Sequence, residues 1–238
     1  MQRRALLPPR RKNRILAGLP ASEYRRISSV LQPVRLPVSH VIFSPGHPLH
    51  TVYFLRAGAC SISRSAGGGR AAEIASVGSE GVVGIEALFG RERTLCRATV
   101  TIADDALAMP VSAFRREMRR HGKFAALVNA YAQHFVTSLI QSVACNALHS
   151  VEERCARWLL TMRDLAGGND FEFTQESLAR VLGVRRPTVT LTIGALRDKG
   201  LIDYGRGRMV IVDPAALKSS ASCECYGVLR KHSARRRR

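Results

Sequence analysis

Aromatic side chains are scarce in this chain, at 6% of 238 residues with a single tryptophan, and acidic residues number 18 against 37 Lys and Arg. No uninterrupted apolar run approaches the roughly 18 residues that a membrane-spanning helix needs. The six cysteines, Cys60, Cys96, Cys145, Cys155, Cys223 and Cys225, are scattered, and none precedes Cys60. A thiolate-held iron–sulfur cluster needs about four grouped cysteines, so that chemistry is not expected. Cys223-Glu-Cys225 is too tight for C-x-x-C redox or zinc spacing. No Walker loop, nucleophile elbow or paired metal-ligand run is present, so no enzymatic site, cofactor or metal is expected. The first twelve residues are basic and lack the apolar core of a secretory signal. The expectation is a cytoplasmic protein with free thiols and no membrane partner.

What is abundant is positive charge. The formal net charge is +19 and the pI about 11.0. A polyanion is the simplest partner for such a surface. The competing reading is a soluble enzyme with basic tails. Hydrophobic residues are 46% of the chain, enough for a packed core.

Texture divides the chain into five segments. Residues 1–22 read as a basic, mobile arm, with a short helix from Ala21 to Leu31 and Ser22 as its cap candidate. Within 23–120, short β-rich runs alternate with turns: Val41–Phe43, Val52–Leu55, Cys60–Ser63, Glu73–Val77, Thr99–Ala103 and Leu107–Val111. That spacing predicts an antiparallel sandwich or barrel, with Gly67-Gly68-Gly69 at a hairpin tip. Residues 121–148 are helical. Val128, Tyr131, Phe135, Ser138, Ser142 and Cys145 form a stripe that serves either its own domain's core or a dimer seam. Ser150-Val-Glu-Glu153 is a capping box that opens the next helix and marks a domain boundary. A domain at 149–218 follows, then a basic tail at 219–238.

The 149–218 segment is the most informative. Phe171-Glu-Phe173 is strand-like, and Thr174 caps a helix carrying Leu178 and Val181. Leu182-Gly183-Val184 turns the chain. Arg185-Arg186-Pro187 opens a second helix, where proline is tolerated because the first turn has no N–H partner to lose. Val189, Ile193 and Leu196 form its inner face, leaving Thr188, Thr190, Thr192 and Arg197 for its other faces. Leu201–Tyr204 and Met209–Val212 are two strands joined by Gly205-Arg206-Gly207-Arg208. Helix, turn, helix and hairpin make a winged helix-turn-helix, with the second helix suited to the DNA major groove. Arg185 and Arg186 can read guanine or clamp phosphate. Thr174 and Gln175 can hold a phosphate at a helix N-terminus. Arg206 and Arg208 can touch the backbone.

The run Thr174-Gln-Glu-Ser-Leu-Ala-Arg-Val-Leu-Gly183-Val-Arg-Arg186-Pro-Thr-Val-Thr resembles the DNA-binding signature of the CRP/FNR family of bacterial transcription regulators. Phe43-Ser-Pro-Gly46, Val52-Tyr-Phe-Leu55, Arg56-Ala-Gly58 and Gly78…Gly84 resemble that family's cyclic-nucleotide-binding β-roll. The resemblance covers about 20–215. It implies an α+β protein with an N-terminal antiparallel β-roll of jelly-roll type, a long dimerisation helix and a C-terminal winged helix-turn-helix. It implies a homodimer on a palindromic site in double-stranded DNA, with RNA polymerase as a partner such regulators can have. Arg186 falls on the position that commonly reads guanine. Pro187 and Leu191 stand where well-known members place a glutamate and a second arginine, so the usual half-site is not implied.

For an effector, Gly84, Glu86, Arg97 and Thr99 supply the ingredients of a cyclic-nucleotide site, with Ile85 between the glycine and the glutamate and a shifted spacing. Thr137-Ser138 is a candidate adenine reader. The alternatives are a β-roll kept as a scaffold, with Arg97 on the surface and Glu86 in a loop, a ligand-binding module whose DNA binding is secondary, or a thiol sensor using Cys145 and Cys155 beside the hinge and Cys223 and Cys225 in the tail.

Overall fold

The computed structural model describes residues 13–65, 71–90 and 92–220. The first twelve residues of the arm, the triple glycine, and the tail beyond 220 with Cys223, Cys225 and its arginine run lie outside the described residues.

Two short helices, α1 (Arg14–Ala17) and α2 (Ala21–Ser28), open the described chain. Residues 13–22 are therefore not a loose arm. Ile15 and Leu16 are buried. Buried Asn13 accepts from the N–H groups of Ile15 and Leu16 and donates to the carbonyls of Leu55 and Gly81, at 3.0 and 2.7 Å. The α2 cap position is Pro20, not Ser22.

The β-roll then follows: β1 (Gln32–Leu36), β2 (Val41–Phe43), β3 (Thr51–Phe54), β4 (Ala59–Ser65), β5 (Ala71–Val77), a 3₁₀ turn (Ile85–Phe89), β6 (Arg97–Ile102) and β7 (Asp104–Pro110). Two antiparallel sheets form, in the orders β1-β7-β3 and β2-β6-β4-β5. The strand missing from the sequence reading is β1. It lies at a sheet edge, the place in a sheet where a proline such as Pro33 is tolerated.

Helix α3 (Val111–Arg119) leads into α4 (Lys123–Leu148), 26 residues or about 39 Å long. The first half of α4 belongs to the roll's core. Phe124 packs against Phe54 and Phe114 with ring centroids 6.2 and 5.7 Å away. Tyr131 lies so close to Gly81 that a Cβ there would stand 2.1 Å from its ring. Glycine is required for that approach.

The capping box forms as expected, with Ser150 Oγ accepting from the Glu153 N–H at 3.2 Å and Glu153 accepting from the Ser150 N–H at 2.8 Å. It opens α5 (Val151–Ala166), followed by β8 (Asp170–Glu172), α6 (Gln175–Leu182), α7 (Arg186–Asp198), β9 (Ile202–Gly205), β10 (Arg208–Ile211) and α8 (Pro214–Ser220). The wing has three strands in the order β8-β10-β9. Trp158, Leu178, Val189, Leu196 and Met209 lie in this second core. The two cores meet along β5, where Trp158 Nε1 donates to Glu73 Oε1 at 3.2 Å and Ala72 faces Gly183.

Candidate nucleic-acid interface

Each helix of the pair is placed by local chemistry. Thr174 Oγ1 accepts from the Ser177 N–H at 3.1 Å and caps α6. Leu178 and Leu182 bury its inner face. Gly183 ends it at φ +67°, the left-handed conformation in which its N–H reaches the Ala179 carbonyl. Arg185 is extended, and α7 begins with Arg186 and Pro187 in its first turn.

The faces of α7 then sort by the helical period. Val189, Ile193 and Leu196 are buried, as expected. Thr192 is buried too, and its hydroxyl donates to the Thr188 carbonyl at 2.9 Å. It is not an outward residue, because position 192 lies beside Leu196 at the edge of the inner arc. The outward arc carries Arg186, Pro187, Thr190 and Leu191. Leu191 is 75% exposed, a large apolar side chain on the face where charge is expected. In the sequence Leu191 stands out as a departure from the family's arginine. Its spacing of four from Pro187 was the available signal.

The nine DNA-facing candidates meet different fates. Arg185, Arg186 and Arg206 are exposed and have no ion-pair partner among the described residues. Arg206 stands at the wing tip at φ +53°, followed by Gly207 at φ +80° in the two-residue hairpin turn. Thr190 Oγ1 donates to Gln175 Oε1 at 2.8 Å, so these two brace α6 against α7. Thr174 is occupied as a cap, and Thr188 is half-buried. Arg197 is 3.8 Å from Asp203, an exposed pair. Arg208 differs from Arg206: its Nε lies 2.8 and 3.1 Å from the two carboxylate oxygens of Asp170 across the β8–β10 register. That guanidinium holds the Asp170 carboxyl below the usual carboxylate range. A neutralised arginine offers less to a phosphate.

The dimer stripe needs correction. Val128, Tyr131 and Cys145 are buried inside their own chain and cannot meet a partner, while Phe135, Ser138 and Ser142 are half-buried. These residues form the inner arc of α4. The exposed apolar stripe is Val136, Ile140 and Val143, with Ile140 66% and Val143 71% exposed. Its spacings of four and three match a helix-pairing seam.

The effector set is also divided. Gly84 and Glu86 line a cavity between the roll and α4. Arg97 and Thr99 do not. They flank buried Ala98, the cross-strand partner of cavity-lining Ile62, so they project from the opposite face of β6. Thr137 and Ser138 donate to the carbonyls one turn back, both at 3.0 Å. Cys145 and Cys155 are buried, and burial pushes the Cys155 thiol up to about 12. A thiol raised as Cys155 is makes a poor nucleophile at neutral pH.

An antiparallel β-roll, a long helix and a winged helix-turn-helix define a transcription regulator with a sensor-type domain. The Crp-like helix-turn-helix domain family matches residues 153–220, and the cyclic nucleotide-binding domain family matches residues 33–121. The chain belongs to the CRP/FNR family of transcriptional regulators. It is 24% identical to the global nitrogen regulator of Synechocystis sp., over 83% of this chain and 93% of that protein. It is 23% identical to the CRP-like cAMP-activated global transcriptional regulator of Mycobacterium tuberculosis, over 87% of this chain and 96% of that one. A CRP/FNR-family regulator from Eubacterium rectale shares the fold, with a TM-score of 0.70 at 17% identity over 88% of this chain and 98% of that chain. No described helix is long and apolar enough to cross a membrane.

Proposed function

We propose that the protein regulates transcription as a homodimer that reads a two-fold-related DNA site through α7. The observation that carries this is the exposed pair Arg185–Arg186 at the start of a helix whose opposite face is fully packed. Two such helices, held by α4 stripes pairing at Val136, Ile140 and Val143, would enter successive major grooves about 34 Å apart. Arg186 is assigned to guanine, Arg185 and Arg206 to phosphates, and Gln175 and Thr190 to holding α7 in place. Arg197 and Arg208, each paired with an aspartate, contribute less. Pro187 and Leu191 give the outward face an apolar strip that suits the thymine methyl group.

Arg186→Ala tests the assignment. A bidentate guanine contact contributes about 1–3 kcal/mol per half-site. The variant should lose roughly tenfold or more in affinity for a selected site while its binding to random DNA changes little. Equal losses on both DNAs would make Arg186 a phosphate contact and remove it from sequence reading.

A further inference from the structure

Positive charge gathers at a second place, outside the winged domain. Helix α2 is tied to α3 through Glu117 and to α4 through Glu23. Buried Glu117 pairs with Arg26 of α2 at 3.0 Å and with Arg120 at 3.4 Å. Glu23 accepts from the backbone N–H groups of Lys123 and Phe124, both at 3.0 Å, and so caps α4. These are the only two carboxylates in segments 21–29 and 111–123, and both are occupied. Around them Arg25, Arg116, Arg119 and Lys123 are exposed, with no ion-pair partner among the described residues.

The chain keeps these cations together against their own repulsion. Arg116, Arg119 and Arg120 fall at spacings of three and four on the exposed face of α3, where like charges disfavour the helix. Lys123 stands in the first turn of α4, the end of a helix that disfavours a cation. Across both segments Tyr24 is the only exposed large apolar side chain. A protein–protein interface has an apolar core from which charge is depleted, and this face has none. It fits a partner held by charge alone. Duplex DNA is such a partner, with one phosphate charge about every 1.7 Å of its axis.

We propose that this face of α2, α3 and the start of α4 holds the phosphate backbone of a second DNA duplex, without reading its sequence, so that the protein bridges two duplexes. The proposal goes beyond the reading of a site by α7 and rests on that reading only for holding the first duplex. Position favours a second duplex over a flank of the first. The patch lies at the first turn of α4, and the chain enters the winged domain past the last, about 39 Å away along the helix. Duplex DNA is stiff over about 150 base pairs, so following one duplex to the other end of α4 demands a sharp bend that a second duplex avoids.

Retention of a second duplex tests this. A random-sequence duplex on beads is loaded with the full chain at about 100 mM salt and washed, and a labelled duplex of about 30 base pairs is then added. The wild type should retain the labelled duplex. With four phosphate contacts, retention per loaded chain should fall about a hundredfold between about 50 and 200 mM salt. Arg25→Gln, Arg116→Gln and Arg119→Gln together leave Arg26, Arg120 and Glu117 paired, so the circular dichroism should not change. That variant should load the beads to within about twofold of wild type and retain at least tenfold less of the second duplex. The same three positions as lysine should restore retention, because the face is asked only for charge. Retention by the glutamine variant equal to wild type would assign bridging to the basic termini and overturn the proposal. So would displacement of the second duplex by poly-glutamate as readily as by unlabelled DNA, which would make the face a site for an acidic protein. A wild type that loads the beads and retains no second duplex would also overturn it, with the reading of α7 intact. Failure to load the beads at all would overturn both.

Discussion

The DNA-facing surface and the cavity are opposites in construction. The first is exposed and polar, and it comes from one stretch of chain between Thr174 and Arg208. The second is a partly open, apolar recess, gathered from β4, β5, the segment through Glu86 and Cys96, and α4, so residues as distant as Ile62 and Leu139 line it together. A surface that meets a polyanion needs only local turns and an unpaired cation at the right helix end. A cavity needs sheets and a helix to converge, and its chemistry is set by which face of each strand points inward. Helix α4 contributes to the cavity but not to the DNA-facing surface, with its inner arc on the cavity and its outer arc carrying the exposed Val136, Ile140 and Val143.

The most severe way to break this division is to charge the outer arc. Ile140→Asp combined with Val143→Asp should give a folded monomer by sedimentation. Affinity for a two-fold site should fall by about a thousandfold, because the second half-site loses its tether. Val128→Asp, only three turns earlier but on the inner arc, should instead unfold the roll, since that side chain is fully buried. If both changes gave the same folded monomer, the assignment of the two arcs would be wrong.

A finer test addresses what α7 reads. Replacing thymine by uracil within a selected half-site removes one methyl group. Affinity should drop about threefold to tenfold, and Leu191→Ala should abolish that difference. Uracil sites bound as tightly as thymine sites would show that Leu191 touches no base.

The smallest effect concerns the seam between the two cores. Glu73 is half-buried and accepts from Trp158 and Ser76, and desolvation raises its carboxyl above the ordinary range despite those hydrogen bonds. A carboxyl raised on folding stabilises fully below its unfolded pKa, and that contribution is lost as pH rises through the folded value. Stability should therefore decline from about pH 4.5 upward. Glu80 is raised by burial as well and adds a slope of the same sign. The informative quantity is thus the difference between wild type and Glu73→Gln in denaturant titrations. The amide keeps an acceptor for Trp158 and removes the charge, so its slope should be shallower. Identical slopes would mean that the charge of Glu73 does not load the seam.

The legibility of each region in the sequence follows from the same contrast. The cap at Thr174, the left-handed turn at Gly183 and the proline in the first turn of α7 are local signals within about fifteen residues. They placed the helix pair to within a residue or two. The pairing of Arg208 with Asp170 spans 38 positions and depends on the wing's register, so Arg206 and Arg208 read alike in the sequence. On α4, two apolar stripes compete at helical spacing, and only the docking of Phe124 and Tyr131 on the roll decides which one faces inward. Arg97 and Thr99 group with Glu86 in the sequence only through the order of glycine, glutamate and arginine that the family's nucleotide sites share. Strand alternation around Ala98 separated them. The β1 strand was hidden because proline argues against a strand unless the strand is known to lie at an edge.

The central claim is tested most directly by selecting bound sequences from a random DNA library with the full chain at about physiological salt, where backbone attraction alone is weak. The account predicts an enriched inverted repeat whose half-site centres are about 10 base pairs apart. Recovery of unpatterned DNA, or of a single unrepeated half-site, would contradict it.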